Sequence, residues 1–192
     1  MQPPIFNTKT DLLQWTDDSV YVGRPMPSLL ALKLPCLQNL PATSIKKLQT
    51  SFEPALSKKT VYANEFGHLP LPRCELIAKK HHALSLLLQS KNLTTLRPLF
   101  HNLHKRPLFC WCSPLPCHAS LLAELGFLFE KYTSPTKEHV PAYWSKLIAE
   151  FAQPLSPTPL GTDTNPHRAY LLSQLNAQTS SKNASANQLP LF

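Results

Sequence analysis

Apolar and polar positions along this chain fall into a few readable blocks. Ser19-Val20-Tyr21-Val22 has the β-branched and aromatic character of a strand and stops at Gly23-Arg24-Pro25, so it reads as the first strand. Residues 26–60 mix leucines with Pro27, Pro35, Pro41 and Pro54 around one short helical candidate, Ser44 to Ser51, and read as a proline-rich insertion. Thr60-Val61-Tyr62 predicts another short strand. Pro72 then opens a long helix from Arg73 to about Ser90, with Leu76, Ile77, Leu84, Leu87 and Leu88 as its apolar stripe.

A second helix is expected from Leu93 to His104, its first half weakened by Pro98. Pro107-Leu108-Phe109-Cys110-Trp111-Cys112 is a short apolar run that fits a buried central strand. Ser113-Pro114-Leu115-Pro116 is too stiff for helix, and a helix begins near Cys117 with Leu121, Leu122, Leu125, Leu128 and Phe129 on its apolar side. One more amphipathic helix is expected over Ala142 to Ala152, and a short one over His167 to Ala177. Strand, tight loop and helix, preceded by helices and an earlier strand, predict an α/β fold, a small sheet layered with helices. The expected organisation is an α/β domain over 1–153, a linker and tail over 154–187, and a terminal peptide over 188–192.

Composition changes this picture in two ways. The start, Met1 to Asp11, lacks the basic opening and continuous apolar stretch of a secretory signal, and no run reaches the length of a membrane span. A cytoplasmic location with no membrane partner is therefore expected. The five cysteines fit that location: they are odd in number, and Cys110, Cys112 and Cys117 crowd together, which suits reduced thiols better than a disulfide framework. The net charge of +8 is also uneven. Residues 46–106 hold 11 Lys and Arg against three acids, Glu53, Glu65 and Glu75, while the rest of the chain holds eight of each. Doublets at Lys46-Lys47, Lys58-Lys59, Lys79-Lys80 and Lys105-Arg106 read either as a face that tracks a nucleic-acid backbone or as ordinary solvated surface.

Candidate chemistry lies at two points. On a strand, Cys110 and Cys112 point to one side and Trp111 to the other. Cys117 would sit at a helix N-terminus, where the dipole and free N–H groups favour a thiolate and an anion. Three readings follow for Cys110, Cys112, Cys117 and His118: a nucleophilic cysteine with a histidine base, a four-ligand zinc site, or burial of the thiols as small apolar side chains. Arg24 is the other candidate, since ligands of open α/β sheets gather outside the carboxyl ends of strands and Gly23 lets a phosphate approach the backbone. The competing reading is that Arg24 only pairs with Glu65 or Glu75.

Leu108 to His118, with Cys110-Trp111-Cys112, the proline loop and Cys117-His118 opening a helix, resembles the signature of the bacterial and phage family called domain of unknown function 4326. Val20-Tyr21-Val22-Gly23-Arg24 is similar to that family's strand ending in Gly-Arg, Asn64-Glu65-Phe66 to its Asn-Pro-Phe turn, and Arg73-Cys74-Glu75 to its Arg-Glu helix start. The resemblance covers residues 19–126. It implies a Rossmann-like fold and a candidate ligand site at Gly23, Arg24 and Asn64, but no activity. This chain departs from the pattern in its long interval between Arg24 and Asn64 and in Glu65, which stands where the family has proline.

The end of the chain is a separate signal. Thr179 to Asn187 is too polar to offset the entropy of ordering it and is expected to behave as a flexible tether. It ends in Gln188-Leu189-Pro190-Leu191-Phe192, which resembles the Gln-Leu-x-Leu-Phe motif of proteins that dock into the bacterial DNA sliding clamp. Gln188, Leu189, Leu191 and Phe192 are then the clamp-binding residues; alternatively the three apolar ones fold back onto the domain. Three functions stay open: a clamp-associated accessory protein of DNA replication or repair that contacts nucleic acid, an enzyme on nucleotides or nucleic acid using Cys117, His118 and Cys112, and a zinc or thiol scaffold.

Overall fold

The computed structural model describes residues 4–30, 33–58, 60–133, 140–155 and 165–186. Three short parallel strands form its sheet: β1 (Ile5–Asn7), β2 (Val20–Tyr21) and β3 (Leu108–Cys110), in the order β1-β3-β2. The apolar run before the proline loop is the central strand, and all three of its residues are buried. β1 was missed because only Ile5-Phe6-Asn7 pair, with Phe6 opposite Phe109. The expected first strand is thus the second, and Val22 N–H still reaches Phe109 O at 2.9 Å beyond its formal end.

Helices cover both faces: α1 (Ala42–Leu56), α2 (Arg73–Ser90), α3 (Leu93–Phe100), α4 (Ala119–Thr133), α5 (Val140–Phe151) and α6 (Pro166–Ala186). On one face, Leu108 and Cys110 pack with Ile77, Leu84, Leu88, Phe100, the buried side of α4 and Leu147, Phe151 and Leu171. On the other, Phe109 and Tyr21 meet Leu12, Leu29, Leu34, Leu37, Phe52 and Leu56. The stretch read as an insertion therefore supplies the second layer of the core. Its helix runs beyond the expected Ser51, through Pro54 to Leu56, because burying Phe52 and Leu56 outweighs the one helical hydrogen bond a proline cannot donate.

α2 has the expected bounds, with Pro72 as its cap residue rather than its first turn. α3 is shorter than expected and is capped by Asn92, whose side chain accepts from Thr95 N–H at 2.9 Å; a separate 3₁₀ turn follows over Leu103–Lys105. Gly126 of α4 lets that turn approach, since a Cβ there would lie 2.6 Å from the His104 nitrogen.

Two further expectations fail. Thr60-Val61-Tyr62 is loop and turn, not strand. Its carbonyls are taken by side chains instead, Val61 O by Lys80 Nζ at 2.9 Å and Tyr62 O by His118 Nε2 at 3.0 Å. The tail helix also runs further than His167–Ala177, so the described part of the expected tether, up to Ala186, is helical. It starts on a docked turn, with His167, Arg168, Leu171 and Leu175 buried, and propagation from a formed turn costs little. No described helix is long and apolar enough to cross a membrane.

Candidate functional site

The chain leaves β3 at Cys110 and turns sharply, so Cys112 lies in the turn rather than on the strand. Trp111 still faces the opposite layer, where its indole N–H donates to the Tyr21 hydroxyl, and that hydroxyl donates to Arg24 O at 2.7 Å. The proline loop then returns Cys117 and His118 to the carboxyl end of the sheet just before α4 begins at Ala119. Both residues precede the helix, and their side chains converge. The donor atoms of Cys110, Cys112, Cys117 and His118 all lie within 4.8 Å of one another.

His118 orders this group. Its Nε2 donates to Val22 O at 2.9 Å and to Tyr62 O at 3.0 Å, which leaves Nδ1 facing Cys110 Sγ at 3.9 Å and Cys117 Sγ at 4.0 Å. Cys117 Sγ accepts the first amide of α4, from Ala119 N–H, at 3.4 Å. Cys110, Cys117 and His118 are buried, while Cys112 is half-buried. Burial and the neighbouring thiols hold the Cys117 thiol well above its ordinary range. Hydrogen bonds from Cys110, Cys117 and His118 push Cys112 the other way, below its ordinary range. Burial alone would lower His118, but the sulfurs around it outweigh this and raise it to about 10.

Above the cluster opens a cleft of about 340 Å³, lined by Gly23, Arg24, Asn64, Arg73, Cys110, Cys112 and His118 among others. The structure thus brings the two sequence candidates, the Gly-Arg strand end and the Cys/His segment, into one site. Gly23 is needed there, because a Cβ would run into the Tyr21 ring. Arg24 is exposed and pairs with neither Glu65 nor Glu75; Glu65 instead binds the buried Lys80 at 2.7 Å. Arg73 donates to Pro116 O at 3.3 Å, and among the described residues neither arginine has a carboxylate partner. Asn64 has a shaping role: its Oδ1 accepts from Phe66 N–H at 3.1 Å and its Nδ2 donates to Leu76 O at 3.4 Å.

Cys117 does not line the cleft, which sets it apart from a nucleophile for an incoming ligand; Cys112, half-buried, does. Arg73 was missed as a site residue, although its place in the first turn of α2, where a cation opposes the helix dipole, is a usable signal. The basic stretch is not one continuous face. Lys80 and His81 are buried and Lys105 pairs with Glu130 at 2.5 Å, while Lys46, Lys47, Lys58 and Lys79 are exposed. Gln188, Leu189, Leu191 and Phe192 lie outside the described residues.

Fold and site define a small parallel α/β domain with a Cys/His cluster and an arginine-lined cleft at the carboxyl end of its sheet. The chain belongs to the family described as Domain of unknown function (DUF4326), whose model matches residues 6–126. That span contains β2, β3, all of β1 but Ile5, and every cleft residue named above. No curated protein and no solved structure matches the chain.

Proposed function

We propose that this protein is a cytoplasmic, sliding-clamp-associated accessory factor of DNA replication or repair, and that its α/β domain binds a phosphate-bearing ligand, a nucleotide or a nucleic-acid phosphate, in the arginine cleft. The observation that carries the domain's part is the pair Arg24 and Arg73, two guanidinium groups without carboxylate partners among the described residues, lining one cleft. Such groups recognise phosphate by charge-assisted hydrogen bonds. The cleft also lies where open parallel sheets collect ligands. The clamp part rests on the sequence Gln188 to Phe192.

The cleft is tested by titrating the full chain with ATP and with a short single-stranded oligonucleotide, read by calorimetry. At least one probe binds, and Arg24→Ala or Arg73→Ala weakens it roughly tenfold or more, while Lys46→Ala on the exposed side of α1 has little effect. Absence of binding by either probe, or equal loss from all three substitutions, would overturn the cleft as the phosphate site.

A further inference from the structure

We infer that Cys110, Cys112, Cys117 and His118 form a closed, four-ligand zinc centre that builds the floor of the cleft. The inference goes beyond the phosphate reading and stands whether or not the arginines take an anion. Zinc bound by thiolates at about 2.3 Å and imidazole at about 2.0 Å holds its donors roughly 3.5–3.8 Å apart in a tetrahedron. Here the four donor atoms already fall within 4.8 Å of one another, so each needs to move by only about an ångström or less to close on an ion.

Three further features point the same way. First, His118 is turned for ligation. Its Nε2 is committed to the Val22 and Tyr62 carbonyls, which leaves Nδ1, the atom that faces the sulfurs, as the ring nitrogen that would give up its proton to a metal. Outer hydrogen bonds of this kind orient metal-binding histidines generally. Second, three sulfurs and one imidazole nitrogen are a soft donor set suited to a tetrahedral site, and sulfur ligands stabilise zinc over harder cations. Third, the free thiols are packed together in a low-dielectric interior, where more than one thiolate repels its neighbours and a dication relieves that repulsion.

Adjacent ligands at Cys117 and His118 are accommodated because both precede α4, with Cys117 Sγ also accepting the Ala119 amide. All four positions come from the chain, so no position stays open for water and the ion's role is architectural. It would join the end of β3, the proline loop and the start of α4, and through the carbonyl partners of His118 the end of β2 and the loop at Tyr62. From or beside those segments, Gly23, Asn64, Cys110 and Pro116 line the cleft.

The test uses the full chain purified without added metal. Elemental analysis is expected to find about one zinc per chain, with Cys36 and Cys74 reacting with a thiol reagent and the other three cysteines protected until a chelator is added. Cobalt substituted for zinc should show thiolate-to-metal charge transfer and the intense visible bands of a tetrahedral ion. Cys117→Ser and His118→Gln should lose the metal, while Cys36→Ser and Cys74→Ser keep it. If the ligand variants do not fold, X-ray absorption at the zinc edge of the wild-type protein still decides, with three sulfurs and one nitrogen expected. A folded, metal-free chain with all five thiols reactive, a disulfide among Cys110, Cys112 and Cys117, or a bound metal with another ligand set would overturn the inference.

Discussion

His118 and His81 are both buried histidines, yet their surroundings give them opposite characters. His118 sits among sulfurs that favour its proton, whereas His81 is tucked under Phe151, with its Nε2 2.7 Å from Phe151 O and the Arg168 guanidinium 3.3 Å away. Burial chiefly, with Arg168 and His82 adding to it, lowers His81 to about 4. A histidine with a folded value below its unfolded one is neutral in the fold and takes its proton first in the unfolded chain. Its contribution is therefore complete above about pH 6.5 and is lost as pH falls towards about 4, by on the order of 3 kcal/mol. Denaturant midpoints across that window should fall more steeply for the wild type than for His81→Gln; parallel curves would refute the assignment. Residue chemistry of this kind was partly legible. The crowding of Cys110, Cys112, Cys117 and His118 announced a cluster, but the carbonyls that aim His118 come from Val22 and Tyr62, far away in sequence. Nothing in the local pattern marks them.

At the level of elements, α6 is held by a buried ion pair rather than by apolar contact alone. Arg168 Nε donates to Glu124 Oε1 of α4 at 2.7 Å, and its other nitrogens bind Phe151 O at 2.8 Å and Gln153 O at 2.9 Å at the end of α5. Removing one member leaves a buried charge, so Arg168→Met should cost about 3–5 kcal/mol, whereas Arg168→Met with Glu124→Leu should recover most of it. Thermal or urea unfolding of the two variants measures this, and a single variant within about 0.5 kcal/mol of wild type would contradict it. Elements with strong local signals were readable: α2 follows Pro72, and β3 is an apolar run bounded by Pro107. Elements set by distant partners were not. Val61 and Tyr62 look like strand residues, but Lys80 and His118 take their carbonyls and no ladder forms. Pro54 suggests a break, but the burial of Phe52 and Leu56 on the sheet carries α1 through it.

For the whole molecule, the proposed function gives two parts different roles. The α/β domain gathers Arg24, Arg73 and the Cys/His cluster at one end of its sheet, and α6, docked through Arg168, is followed in sequence by Gln188-Leu189-Pro190-Leu191-Phe192. A short apolar peptide binds weakly alone, but a domain that also holds DNA raises its effective concentration at the clamp. In the proposed arrangement the peptide would set location and the cleft would set the ligand. Calorimetric titration of the full-length chain into a purified bacterial sliding clamp, beside a version lacking residues 188–192, tests the central claim. The account predicts a dissociation constant on the order of micromolar or tighter that disappears with the deletion. No binding by the full-length chain, or equal binding by both, would contradict it.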